Sequence, residues 1–228
     1  MASKFLRRSG IAVGLVAEVL EWRADLIVQA GVGLLHEETD VLAAEWPGVQ
    51  FVGFEPCSDS FRGLQGKYPG ELIGKAVGEK SGVADLHVKW RHKDGSSLHP
   101  HEAAYDAVLS VPVVTLGEFF AGRILPPRVL LWLDCEGAEL AALSGAGDFL
   151  NHVQVVNVEL TSRRTWAGWA SPVDVHRLLA DAGFFKIWIH TQRISAGQYD
   201  AIYVRKPLFR PEFCCCPYEV ERWQLSTD

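Results

Sequence analysis

The sequence has no long basic run, no Cys-x-x-Cys pair and no apolar stretch long enough to cross a bilayer. Lys and Arg number 22 against 28 Asp and Glu, for a net charge of −6. That balance argues against broad electrostatic attachment to nucleic acid or to an acidic lipid surface. The five cysteines are Cys57, Cys135 and the run Cys214-Cys215-Cys216, and their spacing matches no zinc template. They read as reduced, partly buried thiols rather than as ligands or a disulfide framework. A spanning helix needs about 20 consecutive apolar residues, so no membrane is expected as a partner, and neither is nucleic acid. Internal repeats and low-complexity segments are also absent.

The segment KFLRRSGIAVGLVAEVL near the N-terminus loosely resembles a twin-arginine export signal. Glu18 interrupts its apolar part, and no small-residue cleavage site follows. Ala12, Leu15, Val16, Val19 and Trp22 instead form a helical stripe. The expectation is an amphipathic helix over 1–24 that packs on the domain, and a cytoplasmic location.

With 228 residues, 48% of them hydrophobic and 22% charged, the chain suits one domain with a full core. DLIVQAG (25–31), VQFVGFEP (49–56), PRVLLWLDCEG (127–137) and VQVVNVEL (153–160) read as buried parallel strands. ELIGKAVGEKSG (71–82) reads as the third strand, running into a turn, and VADLHVKW (83–90) as a strand exposed on one face. Helices are predicted over 35–47, over 58–70 with Ser58 or Asp59 as N-cap, over 138–150 and over 171–183. VPVVTLGEFFAG (111–122) reads as a strand and a short helix, after a polar loop at 91–102. FFKIWIH (184–190) and YDAIYVRK (199–206) are joined only by TQRISAGQ. A parallel crossover needs about a dozen residues or more, so this pair is predicted antiparallel. The fold class is therefore α/β: a doubly wound, Rossmann-like sheet of seven strands with the terminal strand antiparallel. This arrangement resembles that of class I methyltransferases. The domain proper is expected over 25–206, with a tail over 207–228 packing on it.

Ligands of such sheets sit at the carboxyl ends of the strands. The first strand delivers Gln29-Ala30-Gly31-Val32-Gly33 there. A dinucleotide fingerprint wants a third glycine, where this chain has His36. Alone, the Gly-x-Gly is equally a tight strand-to-helix turn. Glu55 ends the second strand, where an acid suits the two hydroxyls of a ribose. Taken together, the two features favour adenosine binding.

QAGVG, FEP, KAVGEKSGVADLHV, GSSL, VTLGEFF, LWLDCEGAELAALSGA and VVNVEL follow one another in the order found in FkbM methyltransferases. The chain resembles that family over roughly residues 26–206, and the acid-rich LWLDCEGAEL segment is the most specific piece. Members often carry an acid at the end of the first strand, where Gln29 stands here. The resemblance implies S-adenosylmethionine as cofactor, with Gln29, Gly31 and Gly33 at its methionine end and Glu55 on the ribose. Ala76 and Val77, at the tip of the third strand, would flank the adenine. Ser97 would sit near the cofactor or substrate, and Asp134 beside the methyl group. It also implies methyl transfer to a hydroxyl on a sugar or small natural product.

Asp134, Glu136 and Glu159 are the candidate catalytic acids. Asp134 is the best-placed base, Glu136 shares its proton or orients the substrate, and Glu159 adds a carboxylate on the same rim. Glu136 and Glu139 have a competing role as acids at a helix N-terminus, which is favoured for Glu139. The same carboxylates suit Mg²⁺ or Ca²⁺, but a metal-free base is preferred and no metal ligands are assigned. His36 reads either as a cofactor or substrate contact or as a cap beside Glu37 and Glu38. His87, His92, His99 and His101 read as a solvated loop or lid over the acceptor. Trp166, Trp169, Arg163, Arg164 and His190 are further candidates for acceptor contacts, with packing of the tryptophans as the alternative. Competing functional readings are a dinucleotide-dependent oxidoreductase and a non-catalytic S-adenosylmethionine-binding module.

Overall fold

The computed structural model describes residues 14, 20–34, 37–89, 95–100, 105–161, 168, 171–193, 197–214, 219, 221 and 224. Strand β1 (Leu26–Ala30) leads to helix α1 (Glu37–Glu45), β2 (Gln50–Phe54), α2 (Ser58–Leu64) and β3 (Glu71–Ile73). β4 (Ala76–Val77), β5 (Gly82–Val88), β6 (Ala107–Val114) and α3 (Leu116–Phe120) follow. β7 (Val129–Leu133), α4 (Glu139–Ser144), β8 (Val153–Thr161), α5 (Pro172–Asp181), β9 (Phe184–Arg193) and β10 (Gln198–Arg205) complete the order. Seven strands form the main sheet in the order β3-β2-β1-β7-β8-β10-β9, and β4-β6-β5 form a small second sheet. β1 is parallel to both β2 and β7, and β7 is parallel to β8. The last strand, β10, is antiparallel to both β8 and β9, as expected, and lies one place in from the sheet edge.

Alternation along the strands builds two cores. One face collects Val28, Ala30, Leu131, Leu133, Val156 and Val158 against Leu116 and Phe120 of α3, Leu143 of α4 and Leu179 of α5. The other collects Ile27, Leu130, Trp132, Val155 and Ile202 against Leu42 of α1 and Leu64 of α2. On this second face the apolar rows end at the carboxyl rim of the sheet. There the same alternation brings up Gln29, Asp134, Asn157 and Glu159, and from β10 Asp200.

Several predicted elements are shorter or divided. The expected third strand over 71–82 breaks after Ile73. Ala76 and Val77 then leave the main sheet and pair with Val113 and Val114 of β6. The helix expected over 58–70 ends at Leu64, and its N-cap is Cys57, with no side-chain cap. The helix expected over 138–150 is α4 followed by a separate 3₁₀ turn at Gly147–His152. α5 starts as predicted: Pro172 stands in its first turn, and Ser171 and Asp174 form a reciprocal capping box. Of the expected N-terminal helix, only Gly14 and the residues from Leu20 onward are described; Leu20, Trp22 and Ala24 are buried on the second face.

At the end of β10, Arg205 ties three chain segments together. Its guanidinium donates to the carbonyls of Val153 at 3.0 Å, Leu150 at 2.6 Å and Ala182, and lies 4.0 Å from the centre of the Phe184 ring. These charge-assisted bonds join the start of β8, the 3₁₀ turn and the end of α5. Arg205→Ala is expected to lower stability by roughly 2–4 kcal/mol, read by urea unfolding, because it removes three charge-assisted hydrogen bonds to backbone carbonyls at once.

Candidate functional site

The β1–α1 turn meets the β7–α4 turn through backbone. Gly31 has φ +82°, and a Cβ placed on it would stand 1.8 Å from the Asp134 carbonyl oxygen. Only glycine satisfies both conditions. The Asp134 N–H donates to the Ala30 carbonyl at 2.9 Å, so the two strands leave the sheet side by side. Gly33, at φ +64°, donates its N–H to Glu55 Oε2 at 2.8 Å, and Glu55 Oε1 accepts from the Cys57 N–H at 2.8 Å. Glu55 is buried, and burial raises its pKa against the lowering effect of these two amides. One carboxylate thus links the glycine turn to the start of α2.

Gln29 is also buried. Its Oε1 accepts from Thr39 Oγ1 of α1 at 3.0 Å and from the Tyr68 hydroxyl at 3.4 Å. The side chain therefore braces α1 and the turn after α2 against β1. Ala76 and Val77 are buried where the small sheet meets the main one: Ala76 packs in the small sheet's core and Val77 in the main core. His36 lies outside the described residues.

The second cluster stands on the neighbouring strands. Asp134, Glu136 and Glu159 each present a carboxylate oxygen, and these oxygens all lie within 4.8 Å of one another. Asp134 and Glu159 are hydrogen-bonded to each other. Burial, followed by the charge of Glu159, holds Asp134 well above the ordinary carboxylate range. Burial and then the charge of Glu136 push Glu159 up to about 8. Two half-buried carboxylates in contact cannot both ionise cheaply, which favours a protonated pair. Hard oxygen donors at this spacing also suit a small divalent cation.

The turn that carries Glu136 is built from both sides. Glu136 has φ +49°, an uncommon conformation for a residue with a side chain. Its carbonyl accepts from Ser97 Oγ at 2.6 Å, and Ser97 Oγ in turn accepts from the His99 N–H at 3.0 Å. Ser97 is buried and paired through backbone with His87, which fixes this loop to β5. Glu139, the third acid of LWLDCEGAEL, is buried at the start of α4. Its Oε1 accepts from the N–H groups of Cys135 at 3.1 Å and Gly137 at 3.0 Å.

Asp200 is the site residue that the sequence analysis missed. It is buried on β10, directly opposite Glu159 in the register, and its charge raises both Asp134 and Glu159. A single acid in the apolar strand YDAIYVRK was the available signal. On β8, Asn157 shares this face two residues before Glu159. Its Oδ1 is buried without a hydrogen-bond partner among the described residues, an acceptor available to a ligand or water.

The histidines divide. His87 lies against Tyr105, with ring centres 4.4 Å apart and the ring planes tilted by 60°. His99 is half-buried, with its pKa lowered by burial and then by His87. A Cβ on Gly168 would stand 3.3 Å from His99 Nδ1, so the loop after β8 reaches the loop after β5. His92, His101, Arg163, Arg164, Trp166 and Trp169 lie outside the described residues, as does the side chain of His190.

Among solved structures, the plantazolicin methyltransferase BpumL in complex with S-adenosylhomocysteine is similar at a TM-score of 0.51 and 8% identity, covering 88% of this chain and 83% of that one. The Synechocystis PCC 6803 magnesium protoporphyrin IX methyltransferase with bound S-adenosylmethionine matches at 0.45 and 13%, covering 89% and 85%. A human methyltransferase 10 domain containing protein matches at 0.46 and 11%, covering 90% and 83%. No curated protein matches. The likeness to BpumL is one of fold: a class I methyltransferase sheet with its last strand antiparallel. The model of the methyltransferase FkbM domain matches residues 29–186, from the glycine turn through the acid cluster and into β9, and the chain accordingly belongs to the FkbM methyltransferase family.

Proposed function

We propose that the chain transfers a methyl group from S-adenosylmethionine to a hydroxyl of a sugar or small natural product. The observation that carries this reading is the hydrogen-bonded Asp134–Glu159 pair, set beside the glycine turn by the contact of Gly31 with the Asp134 backbone. Family membership and the ligands of structural neighbours support the cofactor. When bound, S-adenosylmethionine supplies a methyl group on a sulfonium, a good leaving group.

The residues fit that molecule by their chemistry. A carboxylate-rich rim suits a cationic sulfonium, and Glu55 at the end of β2 suits the ribose hydroxyls. Gly31 and Gly33 would bring backbone close to the methionine end, and His36, three residues after Gly33 in the sequence, is a further candidate contact. Gln29 contributes by holding Thr39 and Tyr68, and so shapes that turn from beneath. Ala76 and Val77 form an apolar wall on the adenine side. Ser97 acts on the site through the Glu136 carbonyl.

The chain's part in the reaction is to align the acceptor oxygen in line with the methyl group, exclude water and take a proton. Asp134, with Glu159, receives the acceptor's hydroxyl proton as the oxygen attacks, a contribution of about 10²–10⁴-fold in such systems. Glu136 orients the acceptor at the same rim. The pair works as a base only after losing its shared proton. Turnover is therefore expected to rise with pH as the pair ionises, because burial and the neighbouring acids hold both carboxyls above the ordinary carboxylate range. No metal is required in this reading.

Three outcomes follow. Calorimetry should show binding of S-adenosylmethionine and none of NAD⁺; the reverse result would overturn the reading. Asp134→Asn should lower kcat by at least about tenfold while changing cofactor affinity only a few-fold, with transfer followed by labelled S-adenosylmethionine over a panel of hydroxylated acceptors. Treatment with EDTA should leave the rate unchanged; loss of activity restored by Mg²⁺ would instead assign the three carboxylates to a cation.

A further inference from the structure

We propose that Glu139 is a positioning residue for the transfer: one of its carboxylate oxygens folds the chain from Cys135 to Gly137 so that Glu136 meets Asp134 and Glu159. The inference rests on the function proposed above and goes beyond it, because Glu139 touches neither cofactor nor acceptor in that reading.

The geometry is specific. Glu139 Oε1 takes the N–H of Cys135 at 3.1 Å and that of Gly137 at 3.0 Å. The residue between those two donors is Glu136, at φ +49°. A single oxygen thus gathers the amides on either side of the left-handed residue, and Ser97 holds its carbonyl from the other side at 2.6 Å. An L-residue in this conformation persists only when its surroundings over-determine it. An acid that served only the helix dipole would stand in solvent near the first turn. Glu139 is instead only 6% exposed, and its bonds reach backward, out of the helix and into the catalytic turn.

The charge of Glu139 has a second consequence. Asp134, Glu136, Glu159, Asp200 and the Cys135 thiol are the titratable groups identified around the turn, from β7, β8, β10 and the turn itself. Glu139 raises the pKa of Asp134, Cys135 and Glu159. Its own carboxyl is pushed by burial to about 7, against the lowering effect of its backbone hydrogen bonds. Above that pH it is an anion that strengthens both amide bonds and makes the Asp134–Glu159 pair harder to ionise. The same residue therefore shapes the turn and keeps the pair protonated to higher pH.

Glu139→Gln separates the two effects, because a side-chain amide oxygen still accepts both N–H groups but carries no charge. In this variant the titration of the Asp134–Glu159 pair is expected to move to lower pH by at least half a unit. The shift is read by infrared difference spectroscopy of the carboxylic-acid carbonyl stretch, and again in the rising limb of the kcat–pH profile. Cofactor affinity should stay within a few-fold of wild type. Glu139→Ala loses the oxygen itself, and kcat should fall at least tenfold while KM for S-adenosylmethionine changes far less. Ser97→Ala, which loosens the same turn from the opposite side, should give the same split between kcat and KM. An unshifted titration in Glu139→Gln, or wild-type kcat in Glu139→Ala, would overturn the proposal. The infrared titration needs no acceptor and no turnover. If wild-type protein transfers no methyl group while the pair still shifts in Glu139→Gln, the functional reading fails and the electrostatic coupling stands.

Discussion

Gly31 lies against the carbonyl of Asp134, with no room between them for a Cβ. The rest of the site depends on this contact. It brings the first turn of the domain within van der Waals distance of the segment that leaves β7. Ala30 and Asp134 are joined by a backbone hydrogen bond at the same level. The glycine turn and the acid turn therefore form one continuous corner. Glu55 extends the corner to β2 by binding the Gly33 amide. Ser97 extends it to the small sheet by binding the Glu136 carbonyl.

The corner concentrates negative charge. Asp134, Glu136, Glu139 and Glu159 stand close together, and Asp200 joins them from the antiparallel strand. Gathering so many buried and half-buried carboxylates costs stability unless protons, hydrogen bonds or a ligand compensate. The compensation differs by residue. Glu139 and Glu55 each accept two backbone amides, whereas Asp134 and Glu159 share a proton. Glu159 is above its ordinary range in the folded chain, so its ionisation opposes folding. Its contribution is fully present at low pH and is lost as the pH rises through about 8. A site that is destabilising in its ionised form is suited to a cationic ligand and to taking up a proton.

The periodicity of apolar residues made most of the main sheet legible. Four buried runs became β1, β2, β7 and β8, and the short link between the last two strands required an antiparallel pair. Periodicity was less informative where the chain changes sheets. The stretch 71–82 reads continuously, but Gly74 and Lys75 separate a strand of the main sheet from one of the small sheet. The helix after LWLDCEG looked longer than it is, because a 3₁₀ turn continues its apolar pattern without its hydrogen bonds. Asp200 was missed for a different reason. It lies about forty residues from Glu159 in the chain, and only the antiparallel register sets the two opposite each other.

The sequence alone determined at which end of the sheet the acids gather, since acids that interrupt buried strands can be tolerated only at the rim. It also determined the family, because the acid-x-acid-Gly-x-acid segment and the glycine turn are local patterns in fixed order. Only the tertiary structure separated the roles of three acids within six residues. Glu136, in a left-handed backbone conformation, sets its carboxylate beside those of Asp134 and Glu159. Glu139 looks equivalent in the sequence, but its bonds to the turn make it part of the frame. Burial and cross-strand neighbours decide which carboxylates share a proton, and neither can be read from spacing along the chain.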